Sequence, residues 1–211
     1  MERHLSRKER ERLQHRKEIM DAALKLFSEK GYHNVSMEEI AKESEFSVGT
    51  LYNFFKSKED LYKSLVREVA DKFHSLLIEA VEKEGDVIER LRDYLREKGE
   101  IFKENLSVIR LYFAETKGVS FSVIAGLEDE LRRKYHDFLE RLSNLFEEGI
   151  RQGIFKKIAD PFYLAVAIDS ISNSFFFLWL EDPKKYVYPE PTLVLDIFFE
   201  GLLKKKYNAK E

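Results

Sequence analysis

Cysteine is absent from the 211 residues. That removes any disulfide framework, cysteine-ligated metal or thiol nucleophile. Proline and glycine are scarce, at 4 and 9 residues, so the punctuation that β-rich folds and long loops need is missing. No Gly-rich phosphate loop and no nucleophile elbow occur. The N-terminus lacks the apolar stretch of a secretory signal, and a cytoplasmic product is expected. The histidines are scattered as His4, His15, His33, His74 and His136. Asp71 with His74, and His136 with Glu140, have helical spacing, but neither pair has a third ligand. Surface ion pairing is the simpler reading for both. No catalysis, metal or cofactor is therefore expected.

What is present is helical. Hydrophobic residues make up 44% and charged residues 36% of the chain, a balance that suits helices with one buried and one solvated face. Leu61, Leu65, Val69, Phe73, Leu76, Leu77 and Ala80 form one stripe, ending near Gly85. Val87, Leu91, Leu95 and Phe102 form the next. Leu106 to Thr116 is a shorter apolar segment, broken at Gly118. Leu127, Leu131, Tyr135, Phe138, Leu142, Leu145, Phe146 and Ile150 make a long stripe closed at Gly153. Asp160–Pro161 is an N-cap followed by proline at N1. A last helix is expected from about Pro191 to Lys206. No strand-like alternation occurs, so the fold class is all-α.

The segment from Ser36 to Tyr62 is the most specific. Ser36 and Glu39 form a capping box, and Met37, Ile40 and Ala41 share a face. The turn is Glu45-Phe46-Ser47, with Ser47 as the next N-cap. In the helix that follows, Val48, Leu51, Tyr52 and Phe55 fall on one side. Gly49, Thr50 and Asn53 fall on the other. One side can anchor the helix, and the other is small and polar enough to meet the major groove of DNA. Gly49 costs about 1 kcal/mol against alanine in a helix, which a close approach to DNA would explain. Ser57 can cap the next helix, with Glu59 and Asp60 in its first turn.

The string Thr50-Leu-Tyr-Asn-Phe-Phe-Lys-Ser-Lys-Glu-Asp-Leu61 resembles the signature of TetR-family transcriptional regulators. The upstream stretch Ile19-Met-Asp-Ala-Ala-Leu-Lys-Leu-Phe-Ser-Glu-Lys-Gly-Tyr32 is similar to that family's first helix. Three positions depart from the common pattern. Glu45 stands where glycine is usual in the turn, Val48 where lysine or a similar polar residue is frequent, and Asn53 where histidine is frequent. The resemblance covers residues 16–62. It implies a helix-turn-helix DNA-binding domain followed by a helical domain for ligand binding and dimerisation.

The net charge of −3 is unusual for a DNA binder. Its distribution is not. Residues 1–17 carry Arg3, Arg7, Lys8, Arg10, Arg12, Arg16 and Lys17 against Glu2, Glu9 and Glu11. Such an arm can reach phosphates; an unstructured tail or an extension of the first helix are equal readings.

Residues 161–180 contain a single charge, Asp169. The length approaches a membrane span, but Asp169, Ser170, Ser172, Asn173 and Ser174 cluster at the centre, where lipid would penalise them most. A helix apolar on every side in a soluble chain needs cover on every side, and a second copy supplies it. The final segment, with Leu193, Leu195, Ile197, Phe198, Leu202 and Leu203, is also more apolar than one face requires. A homodimer with no membrane attachment is expected. The 17 Phe and 10 Tyr are the other excess. Phe102, Tyr112, Phe113, Thr116, Phe121, Tyr135, Phe138, Asn173, Phe176 and Phe177 are candidates to hold a hydrophobic effector, or are simply core.

The sequence thus predicts a DNA-binding arm and helix-turn-helix domain over residues 1–57. A helical ligand-binding and dimerisation domain follows over 58–211. The DNA-contact set is Ser36, Ser47, Gly49, Thr50, Tyr52, Asn53, Lys56 and Lys58, and the operator is a palindrome of double-stranded DNA. Function is expected to be ligand-responsive transcriptional regulation, as a repressor released by a hydrophobic small molecule. The alternative is a helical dimer that senses or sequesters a small molecule without gene control.

Overall fold

The computed structural model describes residues 6–115 and 129–200. Among them the secondary structure is helical, apart from connecting turns. Two compact units result: Met1–Ala70 with Asn105–Val119, and Asp71–Glu104 with Ser120–Glu211.

In the first unit, helix α1 runs Arg7–Lys30, opened by a capping box between Ser6 and Glu9. Its apolar residues begin only at Ile19, and the buried set is Ile19, Met20, Ala22, Ala23, Leu26 and Phe27. Gly31 closes it at φ 82°, a conformation that favours glycine. A 3₁₀ turn at Tyr32–Asn34 leads to α2, Met37–Glu43, where Ser36 and Glu39 make the expected capping box. Helix α3, Val48–Phe54, follows under the Ser47 cap, and α4 spans Lys58–Glu82. Leu51, Phe55, Leu61 and Leu65 join the α1 and α2 residues in one apolar core. Val108 and Leu111 of α6, Leu106–Glu115, complete it.

The turn between α2 and α3 is a Schellman motif. Phe46 N–H donates to Ala41 C=O at 3.0 Å, and Glu45 N–H to Lys42 C=O at 3.3 Å. Such a closure places the residue after the cap in the left-handed region, and Glu45 sits there at φ 60°. For a residue with a Cβ this costs about 1–2 kcal/mol. Glu45→Gly removes that strain but loosens the unfolded chain by about 0.5–1 kcal/mol. The net expectation is a gain of about 0.5–1 kcal/mol, read as a higher Tm. A lower Tm would show that the Glu45 side chain supplies something the backbone geometry does not reveal.

In the second unit, the remainder of α4 packs with α5 (Val87–Glu104), α7 (Asp129–Arg151), α8 (Pro161–Glu181) and α9 (Pro191–Phe199). Asp160 caps α8, with Pro161 at N1 as expected. Val81, Val87, Leu91, Tyr94, Leu142, Ala165 and Ile168 lie at the centre, each fully buried. The boundary between units falls inside α4, at residues 70 and 71, so this helix contributes to both cores.

Helix α8 is not buried on every side among the described residues. Tyr163, Ala167, Ser170, Ser174 and Leu178 are exposed along one face. In α9, Leu193 and Ile197 are exposed while Val194 and Leu195 are buried. Phe198 packs on Phe146 with ring centroids 5.7 Å apart. Leu202 and Leu203, with the rest of the segment expected to run to Lys206, lie outside the described residues.

Candidate nucleic-acid interface and effector site

Helix α3 is seven residues long and depends on its cap and its seat. Ser47 Oγ accepts from Thr50 N–H at 3.0 Å and is 2.8 Å from Thr50 Oγ1. Leu51 and Phe55 are buried, at 0% and 1% exposure. Tyr52 was grouped with them by spacing, yet it is 52% exposed, because the helix ends at Phe54 and Phe55 reaches the core from extended backbone. The outward face therefore carries Gly49, Tyr52 and Asn53, all exposed, with Thr50 at its edge. A Cβ at Gly49 would meet only Ser47 Oγ, at 3.8 Å. Among the described residues nothing requires glycine there.

The flanking residues divide into two kinds. Ser36 is engaged in the α2 cap, accepting from Glu39 N–H at 3.2 Å, and Ser47 in the α3 cap. Lys56 is exposed, and its N–H donates to Asp60 at 2.9 Å. Lys58 is turned inward: its ammonium donates to Tyr32 C=O at 2.8 Å and Val35 C=O at 2.7 Å, and lies over the Tyr32 ring. It staples the start of α4 to the link before α2.

The second unit contains a buried polar cluster centred on Asp169, which is 1% exposed. Lys98 forms an ion pair with Asp169 Oδ1 and is 2% exposed. Tyr94 Oη donates to the same oxygen at 2.7 Å. Tyr135 Oη and Asn173 Nδ2 donate to Oδ2, at 2.6 and 2.7 Å. Burial works to raise the Asp169 carboxyl, but the Lys98 ammonium and the hydrogen bonds from Lys98, Tyr135 and Tyr94 outweigh it and hold it below the usual value. Burial lowers Lys98 against the opposing pull of Asp169. Burial and the nearby carboxylate push Tyr94 well up. Tyr188, bonded to Ser172 Oγ at 2.7 Å, is pushed up to about 12, chiefly by burial.

Aromatic rings adjoin this cluster. Phe102 stacks on Phe176 with centroids 3.6 Å apart and meets Phe73 at 4.6 Å. Phe177 and Trp179 lie 5.7 and 6.2 Å from Phe176. Gly99 lets Tyr188 lie close, since a Cβ there would come within 2.7 Å of its ring. Phe176 is fully buried, its ring packed on Phe102. An open groove of about 740 Å³ lies elsewhere in the same unit, lined by Phe146, Phe155, Leu164, Leu195, Phe198 and Phe199 among others.

Residues 19–65 match the family described as bacterial regulatory proteins, tetR family. This segment, from α1 into α4, carries the TetR-family pattern. The chain is 28% identical over 199 residues to a fatty acid metabolism regulator protein of Bacillus subtilis, covering 89% of this chain and 95% of that one. The fold is similar to that of a transcriptional regulator FadR from Bacillus subtilis in complex with stearoyl-CoA. There the TM-score is 0.66 and the identity 24%, over 89% of this chain and 99% of the other. It is similar too to a fatty acid degradation regulator FadR from Bacillus halodurans, with a TM-score of 0.68 at 24% identity, over 90% and 97% of the two chains.

The family match begins inside α1 and ends inside α4, so it contains the whole predicted reading element. Of the predicted effector residues, Phe102, Tyr135, Phe138, Asn173, Phe176 and Phe177 belong to the second unit. Tyr112 and Phe113 lie on α6, which belongs to the first. Thr116 and Phe121 are outside the described residues. Tyr94, Lys98 and Tyr188 were not among the candidates. Lys98 did leave a signal, since it occupies a core-facing place in the stripe Leu91, Leu95 and Phe102. A lysine there needs a buried acid, and Asp169 is the one charge in the apolar helix. Asp71 and His74 proved to have other partners, Lys134 and Asp137.

Proposed function

We propose that this chain is a ligand-responsive DNA-binding repressor, working as a homodimer on a palindromic operator and released by a hydrophobic small molecule. The observation that carries the reading is α3. Its cap and buried side are satisfied within the domain, while Gly49, Tyr52 and Asn53 remain exposed on the other side. A twofold pair of such helices fits half-sites about one helical turn apart, ~34–36 Å, or a multiple of it. The exposed face of α8 and α9 supplies an apolar surface for the second copy. The likeness to fatty-acid regulators and the Phe73, Phe102, Phe176 and Phe177 set favour an effector with a long acyl chain. Lys98 and Asp169 balance each other, so the polar side of this set offers hydrogen bonds without net charge. Phe102 stacks on Phe176 and meets Phe73, so a chain entering between these rings would part them, and α4 carries Phe73 as well as residues of the reading domain's core. A differential affinity of about 1–3 kcal/mol would weaken operator binding about 5–150-fold.

The test is gel retardation on DNA from the protein's own promoter, with and without a long-chain acyl-CoA. Retardation relieved by the acyl-CoA is expected. Asn53→Ala should change which operator sequence is preferred, by about 1–3 kcal/mol at the contacted base pair. Unchanged preference after this substitution would remove α3 from the role of reader. No retardation of any promoter fragment would favour small-molecule sequestration without gene control.

A further inference from the structure

We infer that the first three turns of α1, residues 6–18, are a second DNA-contacting element: a cationic helix that grips phosphates flanking each half-site. This rests on the DNA-binding reading above and goes beyond the part of the chain that the family match covers.

These turns are not made by the core. Every residue from Ser6 to Glu18 is exposed except Arg16, which is half-buried. A solvated helical end of this kind frays unless something holds it. Here local bonds do so: the Ser6–Glu9 capping box, Arg7 Nε to Glu11 at 2.7 Å, and Gln14 to Glu18 at 2.7 Å. Aromatic contacts then fix its place. His15 lies against Phe46 of the α2–α3 turn, with centroids 5.0 Å apart. The Arg12 guanidinium sits over the Phe54 ring at 5.9 Å, and that of Arg16 over Phe55 at 5.3 Å. The helix thus passes the turn and the C-terminal end of the reading helix. Asn53 and Lys56, both exposed, bracket these two phenylalanines.

The charges are sorted to match. Within residues 6–18, Arg7, Lys8, Arg10, Arg12, Arg16 and Lys17 face only Glu9, Glu11 and Glu18, in a chain whose net charge is −3. Glu9 is engaged in the cap, Glu11 with Arg7, and Arg16 with Glu68. Lys8, Arg12 and Lys17 have no acidic partner among the described residues. Lys8 lies one turn before Arg12 and so shares its face, extending the cationic row away from Phe54. Rows of this kind position a protein on the duplex without reading bases.

The experiment uses the full chain and its Lys8→Gln/Arg12→Gln variant. Binding is measured across salt on an operator duplex with about one helical turn of flanking DNA, and on one trimmed to the half-sites. On the long duplex the variant's slope of log affinity against log salt should fall by about two, with sequence preference unchanged. On the trimmed duplex the two proteins should coincide. Asn53→Ala should do the reverse, changing preference and keeping the slope. Circular dichroism monitors the helix, and Gln retains helix propensity. An unchanged slope with helicity intact overturns the inference and leaves the reading helix standing. So does loss of binding to phosphatidylglycerol vesicles with no change on DNA, which would make the row a lipid contact. If the wild type retards no duplex, the DNA-binding reading fails first and this inference with it.

Discussion

A carboxylate placed at Ile197 is expected to yield a folded monomer that has lost tight operator binding. Ile197 is 37% exposed; Leu193 of the same helix is exposed too, at 46%, as are Leu178 and Tyr163 on α8, at 42% and 69%. Ile197→Glu therefore costs the isolated chain little, but it would bury an unpaired charge in a dimer. Joining two reading domains makes the second half-site contact intramolecular, and separation forfeits about 10²–10⁴-fold in avidity. Sedimentation should show half the mass, and retardation should fall to the level of a single half-site. Phe198 is unsuitable for this test because it packs on Phe146, and a charge there would disturb folding. A monomeric Ile197→Glu protein that binds the full operator as tightly as wild type would refute the dimer reading. A variant that stays dimeric would place the interface on another face.

Breaking the Lys98–Asp169 pair should produce a large loss of stability in the second unit. Asp169→Leu leaves an ammonium in the core whose other acceptors are Tyr94 Oη at 3.3 Å and the Asp169 carbonyl at 3.5 Å. Stranding one member of a buried pair costs about 3–5 kcal/mol. Lys98→Met should cost toward the lower end, because Tyr94, Tyr135 and Asn173 still donate to the carboxylate. The double variant should cost less than the sum of the singles by about 0.5–3 kcal/mol. It should not return to wild type, since those three donors are then unsatisfied. Thermal or denaturant unfolding of the four proteins measures this. Strict additivity would mean that the two side chains do not act on each other in the folded state.

The buried pair also marks the limit of what the chain's pattern discloses. Caps, turn and reading helix were legible because each is local: Ser36 with Glu39, Ser47 with Thr50, and Asp160 before Pro161 all satisfy backbone groups within a few residues. The extents of α4 and α5 followed from apolar spacing for the same reason. The exposure of Tyr52 was not legible, since it depends on where α3 ends against the core. Nor was the role of Lys58, a plausible phosphate contact by position whose ammonium is taken up by two carbonyls more than twenty residues away. Lys98, Tyr94 and Tyr188 were hidden for a related reason. Their meaning lies in Asp169 and Ser172, on a helix that only folding brings alongside. Sequence by itself determined the all-α class, the helix-turn-helix and its likeness to the TetR family, because those rest on local hydrogen bonding and periodicity. Tertiary structure decided which cations are free to meet DNA, which aromatics close on one another, and which face of α8 is left uncovered. Those outcomes depend on burial, and burial is settled by residues far apart in the chain.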